Sequence, residues 1–218
     1  MIQNCLNFLQ QLSENNSREW FAENKKLYES AKADFEKITL RFIKEIGAFD
    51  EGVRNLTPRD CIFRIFRDVR FSKNKSPYKT NFGAAFNVSG RKVHNAGYYF
   101  HLAPGTSFMG GGIYMPEPET LKMIRQEIYY NYDEFDKIVS EKEFVKYYKG
   151  IDGSRLSLPP KGYPKDFKGI EMLKFKDYTA IHSFDPSKFS EEELFQQSIK
   201  VLKALKPLND FLNRAVAQ

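Results

Sequence analysis

Apolar residues recur at helical spacing over the first fifty positions. Residues 4–13 read as a short helix with Leu6, Leu9 and Leu12 on one side. Asn16, with Glu19 three residues on, forms a capping-box-like pair that starts a long helix. That helix is expected to run to about Ile46 and to end at Gly47, with Phe21, Tyr28, Ala31, Phe35, Ile38, Phe42 and Ile46 as its apolar stripe. Asn24 interrupts the stripe between Trp20 and Tyr28, and an amide on that face must find hydrogen-bond partners.

The period then shortens to two. Residues 61–71, CIFRIFRDVRF, read as a strand with Phe63, Ile65, Val69 and Phe71 on one side together with Arg67. Its other side takes Ile62, Arg64, Phe66, Asp68 and Arg70. Further strands are expected at Phe82–Val88, Gly97–Leu102 and about Thr106–Met115, separated by the turn signals Ser89-Gly90 and Pro104-Gly105. Consecutive strands with short turns predict an antiparallel meander.

Pro116 and Pro118 open a helix carrying Leu121, Ile124 and Ile128, and Ser140 with Glu143 caps a segment holding Phe144, Tyr147 and Tyr148. Leu158 to Asp166 reads as a connecting loop, and 173–184 as one more strand. Ser190 and Glu193 open the last helix, which Pro207 should break or kink. The expected fold class is α+β, one domain over residues 1–218. An antiparallel β-meander sheet is packed by N-terminal and C-terminal helices, with one face covered by the first long helix and the last one.

Composition narrows the classes. With 20 Phe and 12 Tyr the chain has the means to bury a core, which argues against disorder. No window approaches ~18 consecutive apolar residues, so no membrane span and no membrane partner are expected. The start, MIQNCLNFLQQL, lacks a basic n-region and a long apolar run and does not read as a signal peptide. Cys5 and Cys61 are too few for a disulfide framework, and a cytoplasmic location is the expectation. His94, His101 and His182 are scattered and fit no zinc spacing; no metal and no cofactor is expected. Gly110-Gly111-Gly112 lacks a following Lys-Ser or Lys-Thr, so it is read as a bulge or close backbone approach rather than a phosphate loop. No Gly-x-Ser-x-Gly nucleophile motif is present.

Charge distribution changes the picture more than total charge. The chain carries +6, yet residues 59–92 alone hold nine basic residues against Asp60 and Asp68, so the remainder is close to neutral. From Val69 to Pro116 there is no acid at all. Arg67 on an otherwise apolar face needs a carboxylate, such as Glu19, or a bound anion. Ser72, Ser76, Tyr78 and Thr80 alternate with Lys73, Lys75 and Lys79, a pattern suited to phosphate or carboxylate oxygens.

Three readings follow. The first is a binding protein for an anionic small molecule, with Asn24, Arg64, Arg67, Arg70, Ser72, Lys73, Lys75, Tyr78 and Lys79 as ligand-binding candidates and a closed pocket where Asn24, Arg67 and Tyr78 converge. The second is an enzyme acting on a phosphoester or carboxylate, with Asp68 or Tyr78 as acid/base. The third is a nucleic-acid-binding domain with a basic, aromatic-rich sheet.

Asn15 to Phe21, with Asn24-Lys25 and Tyr28, resembles the opening motif of the domain of unknown function 2461 family. Arg64 to Thr80 resembles that family's central signature, and Gly97-Tyr98-Tyr99, Gly111-Gly112 and Pro116 are similar to its later landmarks. The resemblance implies a single-domain, mostly bacterial, cytosolic protein and implies no activity. Many relatives have Asp where this chain has Asn74, which puts in doubt any mechanism needing a carboxylate there.

Overall fold

A computed structural model describes residues 1–91 and 95–217; Lys92 and His94, counted above, lie outside the described residues. Helix α1 (Ile2–Glu14) buries Cys5, Phe8, Leu9 and Leu12, spaced by threes and fours, and leaves Leu6 half-buried. The long helix expected next is two, α2 (Arg18–Glu23) and α3 (Lys25–Gly47). The break falls at Asn24, whose backbone leaves the helical region and whose side-chain amide donates to the Trp20 carbonyl at 2.9 Å. The cap is Ser17, not Asn16: its hydroxyl accepts from the Trp20 amide at 3.2 Å. Within α3 the expected stripe is buried from Ala31 to Ile46.

The predicted strand at 61–71 is absent. Cys61 ends a short helix, α4 (Pro58–Cys61), and the chain then makes two isolated bridges, Ile62 to Ala84 in the sheet and Phe66 to Tyr78 ahead of it. Between these bridges three residues, 63–65, face five, 79–83, so the register slips by two and no regular ladder forms. Beyond Arg67 the chain leaves the sheet, and Phe71, expected beside Arg67 on an apolar side, is 96% exposed.

The meander is present as expected: β1 (Phe82–Phe86), β2 (Gly97–Leu102), β3 (Phe108–Ile113) and β4 (Tyr178–Ser183), all antiparallel and in that order. Between β3 and β4 come α5 (Pro118–Tyr130), α6 (Tyr132–Ser140), α7 (Lys142–Tyr147) and α8 (Ile170–Leu173). The sequence pattern did not separate α6, and α7 is capped by Glu141 rather than Ser140. The single turn α8 delays the last strand to Tyr178. Ser190 and Glu193 form the expected capping box of α9 (Glu191–Ala204), and Pro207 sits in the first turn of a separate α10 (Lys206–Val216).

The two faces of the sheet differ. Phe82, Ala84, Phe86, Tyr98, Phe100, Leu102, Met109 and Ala180 face the helices and are buried. Phe42 of α3 packs its ring 4.7 Å from Phe100 and 5.0 Å from Phe195 of α9, and Asn209 of α10 donates to the Gly97 carbonyl at 3.1 Å. The first long helix and the last helices thus cover one face, in a single α+β domain. The opposite, open face carries Gly83, Ala85, Tyr99, His101, Phe108, Gly110, Ile181 and Ser183. The ring contacts of Tyr99, His101 and Phe108 are with Phe63 and one another.

Close backbone approach explains the glycine run, as read from sequence. A Cβ at Gly110 would lie 2.0 Å from the Ala180 carbonyl oxygen, and one at Gly111 1.9 Å from that of Gly97. Gly83 is held by a side chain instead: its Cβ would lie 2.4 Å from the Tyr99 hydroxyl. Gly83→Ala should therefore destabilise by about 1–3 kcal/mol in chemical denaturation. Much of that cost should vanish in a Tyr99→Phe background, a coupling of about 1 kcal/mol or more.

Both thiols are buried, and burial pushes each up to about 12. A thiol reagent at pH 8 should leave the folded chain unmodified and titrate two groups after denaturation. Unfolded thiols ionise near 9.0, so this part of the stability is intact below that pH and falls as pH rises above it, measurable as an alkaline fall in Tm.

Candidate functional site

The basic segment hangs from one side chain. Asn16, displaced from the helix cap, donates its amide to the Tyr78 carbonyl and accepts from the Tyr78 N–H, both at 3.1 Å. On its other side the same stretch bonds to 65–67: Arg67 N–H donates to Pro77 O at 2.9 Å, and Lys79 N–H to Ile65 O at 2.8 Å. The Tyr78 ring is buried, stacked on Phe21 at 4.0 Å. Tyr78 is thus committed to holding the segment against α2. Asn24 bonds within its own helix junction, so the structure does not bring Asn24, Arg67 and Tyr78 together through any bond they make.

The loop from Asp68 to Ser76 is organised by its own polar groups. Arg67 donates to Ser76 O at 3.2 Å and to Ser72 Oγ at 3.3 Å. Its partners are neutral oxygens; the carboxylate anticipated from Glu19 is not among them. Ser72 is thereby used. Arg70 forms a two-oxygen pair with Asp68, 2.7 Å at the closest, on the surface. That contact holds the Asp68 carboxyl below the usual carboxylate range. Lys75 donates to Val69 O at 3.0 Å, and Asn74 Oδ1 accepts from Ser76 N–H at 2.9 Å. The last bond is an Asx turn, which Asn makes as readily as Asp, so the Asn74 departure costs the loop nothing locally. Lys73 is exposed at the loop tip.

What does converge lies at the margin of the open face. The Lys79 ammonium sits over the Phe63 ring, 5.6 Å from its centre. Lys79 is half-buried, and its pKa is pushed down, first by burial and then by the charge of Arg64. Arg64 itself is exposed, and its charge reaches Asp68 as well. Phe63 in turn packs edge-on against Tyr99, ring centres 6.1 Å apart.

Beside these lie three polar groups that sequence reasoning passed over or read as structural. Asn81 Nδ2 and Tyr99 Oη each stand 3.4 Å from His101 Nδ1. With two donors facing it, Nδ1 is assigned as the acceptor and the proton as carried on Nε2. Burial pushes the His101 pKa down, keeping the ring neutral, and pushes the Tyr99 phenol up to about 12, keeping it protonated. Phe108 stacks on His101 at 4.5 Å. With the Tyr99 proton directed at His101, the donors left over are the two cations, the second N–H of the Asn81 amide and the His101 Nε2–H, and these suit a ligand rich in acceptor oxygens. Alternation signals the solvent side of β2, hence Tyr99 and His101. The pairing of Gly83 with His101, which brings the end of the basic segment beside them, is not in the local pattern.

A cleft of about 980 Å³ lies elsewhere, between α6–α7 and α9–α10. Its lining mixes acids and bases, and Arg214 there is already paired with Glu127 and Glu134. Among the described residues no group of three or more His, Cys, Asp and Glu side chains is placed to hold a metal, and no helix is long and apolar enough to cross a membrane. No curated protein and no solved structure matches the chain. The model of a family described as conserved hypothetical protein, DUF2461, matches residues 4–211, and the chain belongs to that family.

Proposed function

We propose that the chain binds an anionic small molecule, phosphate- or carboxylate-bearing, at the margin of the open face, where Lys79 and Arg64 lie beside Phe63 and the group of Asn81, His101 and Tyr99. One observation carries the reading: Lys79 is drawn half-buried onto the Phe63 ring, and the charge that bears on it is a second cation, Arg64. A half-buried ammonium with a like-charged neighbour is a cost to the folded state that a bound anion reduces. Arg67, with only neutral partners, adds to the positive field at the loop base. The same uneven charge bears on the other readings. For an enzyme, Asp68 is a poor proton donor while Arg70 holds it ionised, and Tyr78 is buried in a ring stack. For single-stranded nucleic acid, the His101 and Phe108 rings face each other, which leaves those faces unavailable to bases. A cytoplasmic location remains our reading, supported by two free thiols and no disulfide.

The test sets function against stability. Lys79→Met keeps the apolar stem and removes the charge. It should be no less stable than the parent in thermal unfolding, because the ammonium it deletes is penalised by its surroundings. It should weaken inorganic phosphate binding by about tenfold, the usual worth of a charge-assisted hydrogen bond, read from amide shifts of residues 79–81 and 99–101 in a low-salt NMR titration. Arg64→Ala should act in the same direction, and Lys200→Ala, in the α9–α10 cleft, should not. A Lys79→Met protein that loses stability while binding phosphate as before would make Lys79 structural and end the proposal.

A further inference from the structure

The cleft between α6–α7 and α9–α10 has two walls. On one, Lys200, Lys203, Ala204, Pro207 and Phe211 recur every three or four residues, so the stripe of α9 continues through its junction with α10. The facing wall carries Glu134, Lys137 and Ile138 of α6, then Glu141 and Phe144. The walls are tied at two places. The Phe135 and Phe211 rings pack 5.4 Å apart beside a 2.6 Å pair of Arg214 with Glu134, and the Tyr148 hydroxyl donates to Val201 O at 2.9 Å. About 980 Å³ stays open between the walls. Phe144 and Phe211 are buried beneath it, and Ile138, Ala204 and Pro207 reach solvent along it. The space is a groove with an apolar floor, near the upper limit of about 1,000 Å³ for small-molecule pockets.

The charges lining the groove are answered unequally. Its acids are all engaged by the chain: Glu134 by Arg214, Glu143 by Lys146 at 3.5 Å, Asp210 by Lys206 at 2.6 Å, and Glu141 by the N–H of Glu143. Arg214 is engaged too, by Glu127 and Glu134. Among the described residues the other bases, Lys137, Lys200 and Lys203, pair with no acid, and all three are exposed. Lys137 stands on one wall and Lys200 and Lys203 on the other, so unanswered positive charge lies on both banks of the apolar floor. A single anionic head group answers one bank only. An apolar ridge with acids along both flanks answers both, and at helical spacing that is an acidic amphipathic helix.

We propose that this groove docks an acidic amphipathic helix of a partner protein, its apolar stripe on Ile138, Ala204 and Pro207 and its carboxylates at Lys137, Lys200 and Lys203. The inference goes beyond the anion site at Lys79 and does not rest on it, so either can fail without the other.

The probes are synthetic helical peptides, titrated into the full chain by fluorescence anisotropy and NMR. One has a leucine stripe flanked by Glu, another the same stripe flanked by Lys, and a third Glu flanks with Gln in place of the leucines. The Glu-flanked leucine peptide should bind at least about tenfold more tightly than the Lys-flanked one, with an advantage that shrinks as salt rises, and should shift amides of residues 137–144 and 200–211. The Gln peptide should bind at least about tenfold more weakly than its leucine counterpart. Lys200→Gln with Lys203→Gln, at exposed positions, should remove most of the preference for Glu flanks while the chain still folds, as thermal unfolding reads. Equal affinity for Glu and Lys flanks, no binding of the Glu-flanked peptide at about 1 mM, or a preference that survives the double substitution would each overturn the inference. Dimerisation of the chain alone that the same double substitution abolishes would give the groove to a second copy and overturn it. Tighter binding of laurate than of the peptide at the same amides would give it to a single-headed lipid and overturn it as well.

Discussion

The amide of Asn16 occupies both backbone hydrogen-bonding groups of Tyr78, and the placement of the basic segment depends on it. A segment with this much positive charge has little reason to lie against a sheet. Its side chains repel one another and prefer water. Asn16 supplies on one side what a neighbouring strand would supply, and residues 65–67 supply the other side. The stacked pair of Phe21 and Tyr78 adds apolar burial at the same point. With Tyr78 fixed, Lys79 and Asn81 are carried onto the open face and Arg67 is left to close the loop neck.

The register slip is the second half of that arrangement. Five residues facing three cannot form a ladder, so the stretch after Tyr78 bulges. A regular strand at 61–71 would have alternated Arg64 and Arg67 onto opposite sides at fixed spacing. The bulge instead sets Arg64 close enough to Lys79 for its charge to be felt there. Regular pairing is lost, and two like charges are gained at one place, which is the opposite of what stability alone would select.

The sequence was read well where the period belongs to one element. The stripe of α3, the alternation of Phe82 to Phe86 and Gly97 to Leu102, the capping box of α9 and the break at Pro207 all follow from local chemistry. It was misread where a distant group overrides the local pattern. Asn16 has the residue type of a helix cap, but Ser17 does that work and Asn16 is drawn to Tyr78, sixty-two residues away. Residues 61–71 have strand composition, but a two-residue slip against 79–83 prevents the strand. The arginines and lysines of the candidate site were visible as a charge run. Their division was not: Arg70 is answered by Asp68, Lys75 by a carbonyl, Arg67 by neutral oxygens, and Lys79 by an aromatic ring and no acid among the described residues.

That division is what makes the charge informative. A solvated basic run would leave every cation exposed and interchangeable. Here the exposed Arg70 has its acid, while the cation drawn into the fold, Lys79, rests on an aromatic ring beside Tyr99 and His101. An aromatic face offsets part of an ammonium's desolvation but supplies no hydrogen-bond acceptor. Among the described residues the Lys79 ammonium therefore retains unanswered donors, at an edge of the sheet where Asn81 and His101 bring more. Donors that outnumber the acceptors beside them are stable together only in water or around an acceptor-rich guest. The half-burial of Lys79, His101 and Tyr99 limits the water, which favours the acceptor-rich guest we propose.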